Sequence, residues 1–450
     1  IEGGLLGLEI TDERMKSTAD YARQLGIVID YEVNAFPTNH ANTVRLTVYG
    51  KSKKKVQVVA ISTGGGSFEI QTVDGFKVKM KGDQFVLLFK TKGHIDVLQE
   101  LDSFDAEAAA LMLIPKDDKQ MAVYRSSKPF SSDFISQLQN HPDIEDLAVI
   151  HPVMPVISGN QGKMPFTSLE SLLEYTEKMD LDLGKAGLIY EQCLSGMTER
   201  DLYGKMEGII QIIHKGIDTG LKGTTYEDRI LQQQSHLIGK AEKQGRLKDS
   251  IVNRIVAYVT ALMESKSGME VIVAVPTAGS CGTVGGLLRA AADDTGSGKN
   301  EIINAYFAAG LVGAFFAQGP GFSAEEHGCQ VECGAAAGRA AAGIVQLYGG
   351  SAKQAFDAAS MAIQNMIGLI CDPVADRVEV PCLGKNISAA VNALASATMA
   401  CSGFDAVIPL DEVIRTVSEV SKQMPACVRC TGKGGLAITK TALSIKSKMG

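Results

Sequence analysis

The chemistry open to this chain begins with its cysteines. None precedes Cys193, and the full set is Cys193, Cys281, Cys329, Cys333, Cys371, Cys382, Cys401, Cys427 and Cys430. Cys427 and Cys430 form one CxxC pair, a weak indication of a zinc or redox site without a second pair or a thioredoxin-like context. Cys329 and Cys333 share a helix face and fit equally well as two small core residues. Three segments differ: EHGCQ (326–330), LICDP (369–373) and VPCL (380–383) each set a cysteine beside Gly, Pro or Asp. Loops of that kind let thiols turn inward to a common point and leave backbone amides to bond sulfide. Three thiolates at one point suit an iron–sulfur cluster with one iron lacking a protein thiolate; buried structural thiols are the alternative.

Such loops need a scaffold. Residues 1–80 read as mixed α and β, with a helix over 11–25 and strands over 27–33, 43–49, 56–61, 67–71 and 76–80. Gly64, Gly65 and Gly66 interrupt two of these strands and let the backbone approach a neighbour or ligand closely. Residues 82–150 form a small α+β unit, with a strand over 84–89, a short helix over 94–101 and strands over 109–114 and 121–124. Residues 151–165, rich in Pro, Gly and polar side chains, read as a linker. From 166 to 450 the pattern is helical: amphipathic runs at 168–178, 198–219, 226–243 and 247–264 precede small-residue-rich helices at 335–348 and 389–400. The expected fold class is α+β, with N-terminal mixed units followed by a large, mainly helical C-terminal domain.

Composition narrows the function. The 450 residues are 45% hydrophobic, which excludes a disordered chain. Forty-four basic against 51 acidic residues, with no Trp, argue against a nucleic-acid partner. The basic run at 51–55 reads as a solvated hairpin turn. The most apolar stretch, 302–318, is short for a membrane span and reads as a buried core helix. Cysteine usage fits a reducing, cytoplasmic compartment.

The residues carry a resemblance. VPTAGSCG (275–282), EHGCQVECG (326–334), QNMIGLICDPVADRVEVPCLGKN (364–386), AVIPLDEVI (406–414) and GKGGLA (432–437) are similar to segments of the iron–sulfur-dependent L-serine dehydratases. FPTNHANT (36–43) and STGGGSFEI (62–70) match the β-type region of that family, and 82–150 sits where its two-subunit type carries an ACT-like domain. The ordered GCQ, CDPVA and VPC segments are the specific part.

The resemblance implies an oxygen-sensitive [4Fe–4S] cluster on Cys329, Cys371 and Cys382, and elimination of water from L-serine to give pyruvate and ammonia. An iron free of protein thiolate would act as Lewis acid on the hydroxyl while a protein base takes the α-proton. His40 falls where the family has a substrate-side histidine. Lys385 and Asn386 are candidates to hold the substrate carboxylate. Thr277, Ala278 and Gly279 would surround a bound amino acid, and Ser62, Thr63, Gly64 and Gly65 would wall the site from the β side. Glu326 and Glu332 flank the first ligand and are candidates to orient it.

Cys281, Cys333, Cys427 and Cys430 add thiols around these segments, and GKN replaces another basic residue before Asn in many relatives, so threonine, cysteine or another β-substituted amino acid stays open as substrate. Two rivals remain: a pyridoxal-phosphate lyase with Lys385 as Schiff base, and an amino-acid-sensing protein with a degenerate lyase domain. The family's PSSSHT loop, expected upstream of GGLLG (3–7), does not occur. The expectation is therefore a C-terminal portion, or a chain completed by a separate N-terminal polypeptide, acting as a homodimer without nucleic acid or membrane.

Overall fold

The computed structural model describes residues 1–33, 36, 38–40, 42–51, 54–92, 109–153 and 164–449. Its contacts cluster into two units, His40–Tyr175 with Gly187–Lys205, and Ile1–Asn39 with Thr176–Ala186 and Met206–Gly450. The α+β class holds: strands lie in the first unit and helices dominate the second.

In the first unit, β1 (Thr43–Tyr49), β2 (Lys55–Gly64), β3 (Ser67–Val73) and β4 (Phe76–Met80) form one antiparallel sheet in that order. A second antiparallel sheet holds β5 (Phe85–Lys92), β6 (Ala109–Lys116), β7 (Lys119–Ser126) and β8 (Ile144–Ile150), ordered β6-β7-β5-β8. Successive side chains of a strand point to opposite faces. Val86 and Leu88 of β5 and Met121 and Val123 of β7 therefore meet Val73, Phe76, Val78 and Met80 of the first sheet. Leu87, Phe89, Ala122 and Tyr124 point the other way, onto Phe134 and Leu138 of helix Ser132–Asn140. The β5–β8 sheet is thus a middle layer buried on both faces. Ser131 caps that helix, its hydroxyl accepting from the Phe134 amide at 3.2 Å.

Sequence reading and structure part in particular places. Residues 27–33 form no strand, and 226–234 are not helical. Local polar pairing wins in the latter, where the Arg229 guanidinium bonds Thr224 Oγ1 at 2.7 Å and the Glu379 carboxylate accepts the amides of Ile230 and Leu231. Helix Ser132–Asn140 and strand β8 were not foreseen. The helix expected over 94–101 and most of the 151–165 linker lie outside the described residues.

The second unit is built on α1 (Ile251–Ser267), α2 (Cys281–Thr295), α3 (Lys299–Gln318), α4 (Cys333–Leu347), α5 (Ala352–Gln364) and α6 (Cys382–Cys401). The buried faces of α2, α4 and α6 are rich in Gly and Ala, which lets neighbouring helices approach their backbones closely. A methyl group placed on Gly286 of α2 would stand 2.6 Å from Val259 Cγ2 and 2.8 Å from the Val259 nitrogen of α1. One on Gly343 of α4 would stand 3.1 Å from the Ala305 carbonyl of α3. Helix α3 is long and apolar enough to cross a membrane, yet 61% of that stretch is buried within the protein, as a core helix requires.

Candidate active site

Three of these helices begin at cysteine: Cys281 opens α2, Cys333 opens α4 and Cys382 opens α6. The fully buried Asn386, in the first turn of α6, ties their starts together. Its Oδ1 accepts from the Thr283 amide at 3.1 Å and the Thr283 hydroxyl at 2.9 Å, both in α2. Its Nδ2 donates to the carbonyls of Gly279 at 2.7 Å and Cys382 at 2.8 Å, with the Cys333 sulfur at 3.8 Å. The amide is spent on these partners, so Asn386 organises the site. Helix N-termini carry partial positive charge and favour thiolates placed against them.

The loop cysteines arrive from two further directions. Gly328, at φ +75°, turns the chain so that Cys329 enters a short 3₁₀ turn, and a Cβ there would stand 2.8 Å from Met424 Cε. Gln330, almost wholly buried, fastens this turn to the next ligand segment: it accepts from the Gly368 amide at 2.9 Å and donates to the Ser421 hydroxyl at 3.0 Å. Cys371 follows on a one-residue parallel bridge, its amide donating to the Val428 carbonyl at 2.8 Å and its carbonyl accepting from the Cys430 amide at 2.8 Å.

One atom each of Cys329, Glu332 and Cys371 lies within 4.8 Å of the others. The Cys333 thiol joins them, its Sγ 3.5 Å from Cys329 Sγ, and Cys430 lies beside Cys371 through the backbone, its amide donating to the Cys371 carbonyl at 2.8 Å. Hydrogen bonds from the Cys333 and Cys371 thiols, together with the nearby Lys385 ammonium, hold Cys329 well below the ordinary thiol value although burial opposes them. The donors move up correspondingly, Cys371 through its bonds to Cys329 and Cys430, Cys333 through its bond to Cys329 and its burial. Burial, reinforced by the charge on Cys329, pushes Cys382 up to about 12. Glu332 is also raised well above the carboxylate range by burial and by Cys329, although it accepts the Thr277 hydroxyl at 2.5 Å. Both shifts run the same way: the network favours negative charge on the Cys329 sulfur and disfavours it on the Glu332 carboxyl group.

Lys385 sits over this ensemble, its Nζ 2.8 Å from Asp372 Oδ1 and 2.7 Å from the Ile370 carbonyl. Burial works against the ammonium, but Asp372 and the Cys329 thiolate outweigh it and raise its pKa. Asp372, 4% exposed, also accepts the Leu436 amide at 2.8 Å, which anchors the GKGGLA segment. Between Cys371 and Cys382 the chain passes through two left-handed non-glycine residues, Ala375 and Asp376. Arg377 clamps this loop to Asp228 through two contacts of 2.8 and 2.9 Å.

Of the residues singled out from sequence, Thr277, Gly279, Cys329, Cys371, Cys382, Lys385 and Asn386 therefore share one bonded neighbourhood, with the exposed Ala278 on the turn beside them. Gly279 packs against Glu332, where an added Cβ would stand 3.0 Å from Oε1. His40 and Ser62–Gly65 belong to the sheet unit. There the His40 Nδ1 accepts the Asn42 amide at 3.1 Å, ahead of β1. Gly65 and Gly66, at φ +65° and +80°, make the two-residue turn between β2 and β3, which accounts for the glycine run through backbone geometry alone. Gln330, Asp372, Cys333 and Cys430 were not assigned roles from sequence. For Asp372 and Gln330 the only signal was adjacency to a ligand; for Cys333 and Cys430 it was the surplus of thiols.

Buried soft sulfur donors beside a cation match iron–sulfur binding better than binding of a hard, oxygen-preferring cation. Comparison with known proteins identifies the family. A family model described as serine dehydratase alpha chain matches residues 103–437. A probable L-serine dehydratase alpha chain of Bacillus subtilis is 33% identical over 285 residues, 63% of this chain and 95% of the relative. The L-serine dehydratase alpha chain of Peptoniphilus asaccharolyticus is 35% identical over 259 residues, 56% and 87% of the two chains. L-serine dehydratase 1 of Escherichia coli is 33% identical over 282 residues, and this chain spans 62% of its length.

Proposed function

The chain belongs to the serine dehydratase alpha chain family and is a lyase, and from that premise we propose that it deaminates L-serine to pyruvate and ammonia on a [4Fe–4S] cluster held by Cys329, Cys371 and Cys382. The observation that supports the reading is the convergence of Cys329 and Cys371, with Glu332, on one buried point beside Lys385. When bound, the cluster supplies a Lewis acid for the substrate hydroxyl, which is otherwise a poor leaving group.

The chain's own residues do the rest. Two of the three Lys385 donors are engaged by Asp372 and Ile370, which fixes the ammonium in place and aims its remaining N–H bond as a point charge for the substrate carboxylate. Thr277 donates to the Glu332 carboxyl, and burial, which raises that group's pKa, disfavours a second negative charge beside an anionic substrate. Asn386 and Gln330 hold the ligand turns in register, so the site is organised before anything binds.

The test is an anaerobic one. Reconstituted protein is assayed for iron, sulfide and ammonia release from serine, threonine and cysteine. Alanine at Cys329, Cys371 or Cys382 should lose iron and ammonia release together, whereas alanine at Cys193 or Cys401 should lose neither. Full activity in protein free of iron overturns the reading.

A further inference from the structure

We propose that a cavity between helix Glu199–Lys222 and α3 binds an α-amino acid with a hydroxylated aromatic side chain, for which L-tyrosine is the probe. The inference goes beyond the cluster reading and does not rest on it. The cavity measures about 290 Å³, and its lining includes Glu207, Ile210 and His214 of the first helix and Lys299, Ile302 and Ile303 of α3. All six lie in the second unit, and none belongs to the thiol network. An aliphatic cavity of about 150 Å³ holds benzene, so this one has room for a ring with polar groups at its ends.

Helical spacing sorts the lining by chemistry. Glu207, Ile210 and His214 recur on one helix face, and Ile302 and Ile303 stand one turn beyond Lys299. The isoleucines form the apolar wall, with Ile210 and Ile303 buried. Lys299 Nζ lies 2.6 Å from Glu207 Oε1, with the two side chains 63% and 35% exposed. An ion pair this exposed contributes little and opens at small cost. A zwitterion replaces it with two pairs, its carboxylate on Lys299 and its ammonium on Glu207. His214 stands two turns on from Glu207, about 10 Å along the axis. An amino acid group and a para hydroxyl at opposite ends of one ring match that span. The His214 Nε2 is buried without a hydrogen-bond partner among the described residues, and so is the Tyr306 hydroxyl, one turn past Ile302 and Ile303. Buried polar atoms are nearly always paired, and a phenol hydroxyl both donates and accepts. Burial, which lowers the His214 pKa, favours the neutral imidazole as its partner. Serine has neither the apolar body nor the length for this cavity.

The experiment is equilibrium dialysis of the full, reduced chain under nitrogen against radiolabelled L-tyrosine, with unlabelled amino acids as competitors. Uptake should saturate at one tyrosine per chain. L-phenylalanine should compete about 3- to 10-fold more weakly, the scale of one hydrogen bond, and L-serine should not compete. Lys299→Ala should weaken tyrosine binding about 3- to 5-fold, as loss of an exposed ion pair does, and His214→Phe should abolish the preference for tyrosine over phenylalanine. Helical circular dichroism establishes that each variant is folded, and Lys299→Ala, whose side chain is exposed, carries the test if His214→Phe is not. Absence of saturable uptake overturns the inference, and so does displacement by serine, which would seat tyrosine at the active site. Unchanged affinity in Lys299→Ala, or an unchanged preference in folded His214→Phe, overturns it as well. Each of these results leaves the proposed serine deamination standing, because that is read separately by ammonia release.

Discussion

Replacing Asn386 by alanine removes the group that joins the starts of three helices, and the cost follows from its bonds. Four hydrogen bonds to neutral partners disappear, two from Thr283 to Oδ1 and two from Nδ2 to the carbonyls of Gly279 and Cys382. At about 1 kcal/mol net for each, the loss is about 4 kcal/mol, with the stranded, fully buried partners keeping the figure from shrinking. That is close to the upper end for a single substitution. Asn386→Asp should be no milder, because it turns the Nδ2 donor into an acceptor facing two carbonyls. The assay is urea unfolding of reduced, cluster-free protein under nitrogen, followed by the helical circular dichroism signal. Thr283→Ala and the double variant complete a cycle, in which a coupling of about 1 kcal/mol or more is expected between residues in one network. A loss below about 1 kcal/mol in Asn386→Ala would refute the assignment of Asn386 as the organising residue.

Other outcomes follow from the same geometry. Gly286→Ala drives a methyl group into the Val259 backbone and should cost about 1–3 kcal/mol, whereas Gly66→Ala meets open space and should cost only the left-handed penalty of about 1–2 kcal/mol; urea midpoints separate the two. Burial, with the Arg289 charge, holds the His214 pKa below 6.5, so the unfolded chain binds the extra proton first. Its stabilising contribution is present above pH 6.5 and is lost as pH falls through the lower folded-state value, and His214→Gln should flatten that part of the stability profile. Lys385→Met leaves the buried Asp372 carboxylate with the Leu436 amide but without its cation. Breaking a pair this deeply buried costs about 3–5 kcal/mol, and Lys385→Met with Asp372→Leu should recover part of it in thermal unfolding.

What was legible from sequence follows the range of the forces involved. Strand alternation is a local pattern that located β1 to β7; β4, β5 and β7 bury one face or both, whereas β1 has no fully buried residue. The cysteine segments were legible because Gly, Pro and Asp beside a thiol are a local departure from helix periodicity, although Cys382 opens helix α6 instead of lying on a loop. Segment 226–234 was misread because the partner that unwinds it, Glu379, stands far along the chain. The same distance hid Gln330 and Asp372, whose meaning lies in amides donated from Gly368 and Leu436. Cys430 was visible as half of a CxxC pair, but that spacing suggested Cys427 as its companion; in the fold its companion is Cys371.

The glycine and alanine contacts among α1 to α6 bear on how this centre tolerates change. A core of leucines can absorb a small shift by letting side chains swing into new rotamers. Alanine and glycine have no rotamers to offer, so a helix pair in backbone contact either stays in register or parts altogether. Helices α2, α4 and α6 start at the thiol network, and they therefore transmit any displacement to it undiminished, like struts without springs. Damage to the thiol network should accordingly arise from substitutions a full helix length away, at positions that touch none of its residues, and it should appear as abrupt loss rather than gradual decline.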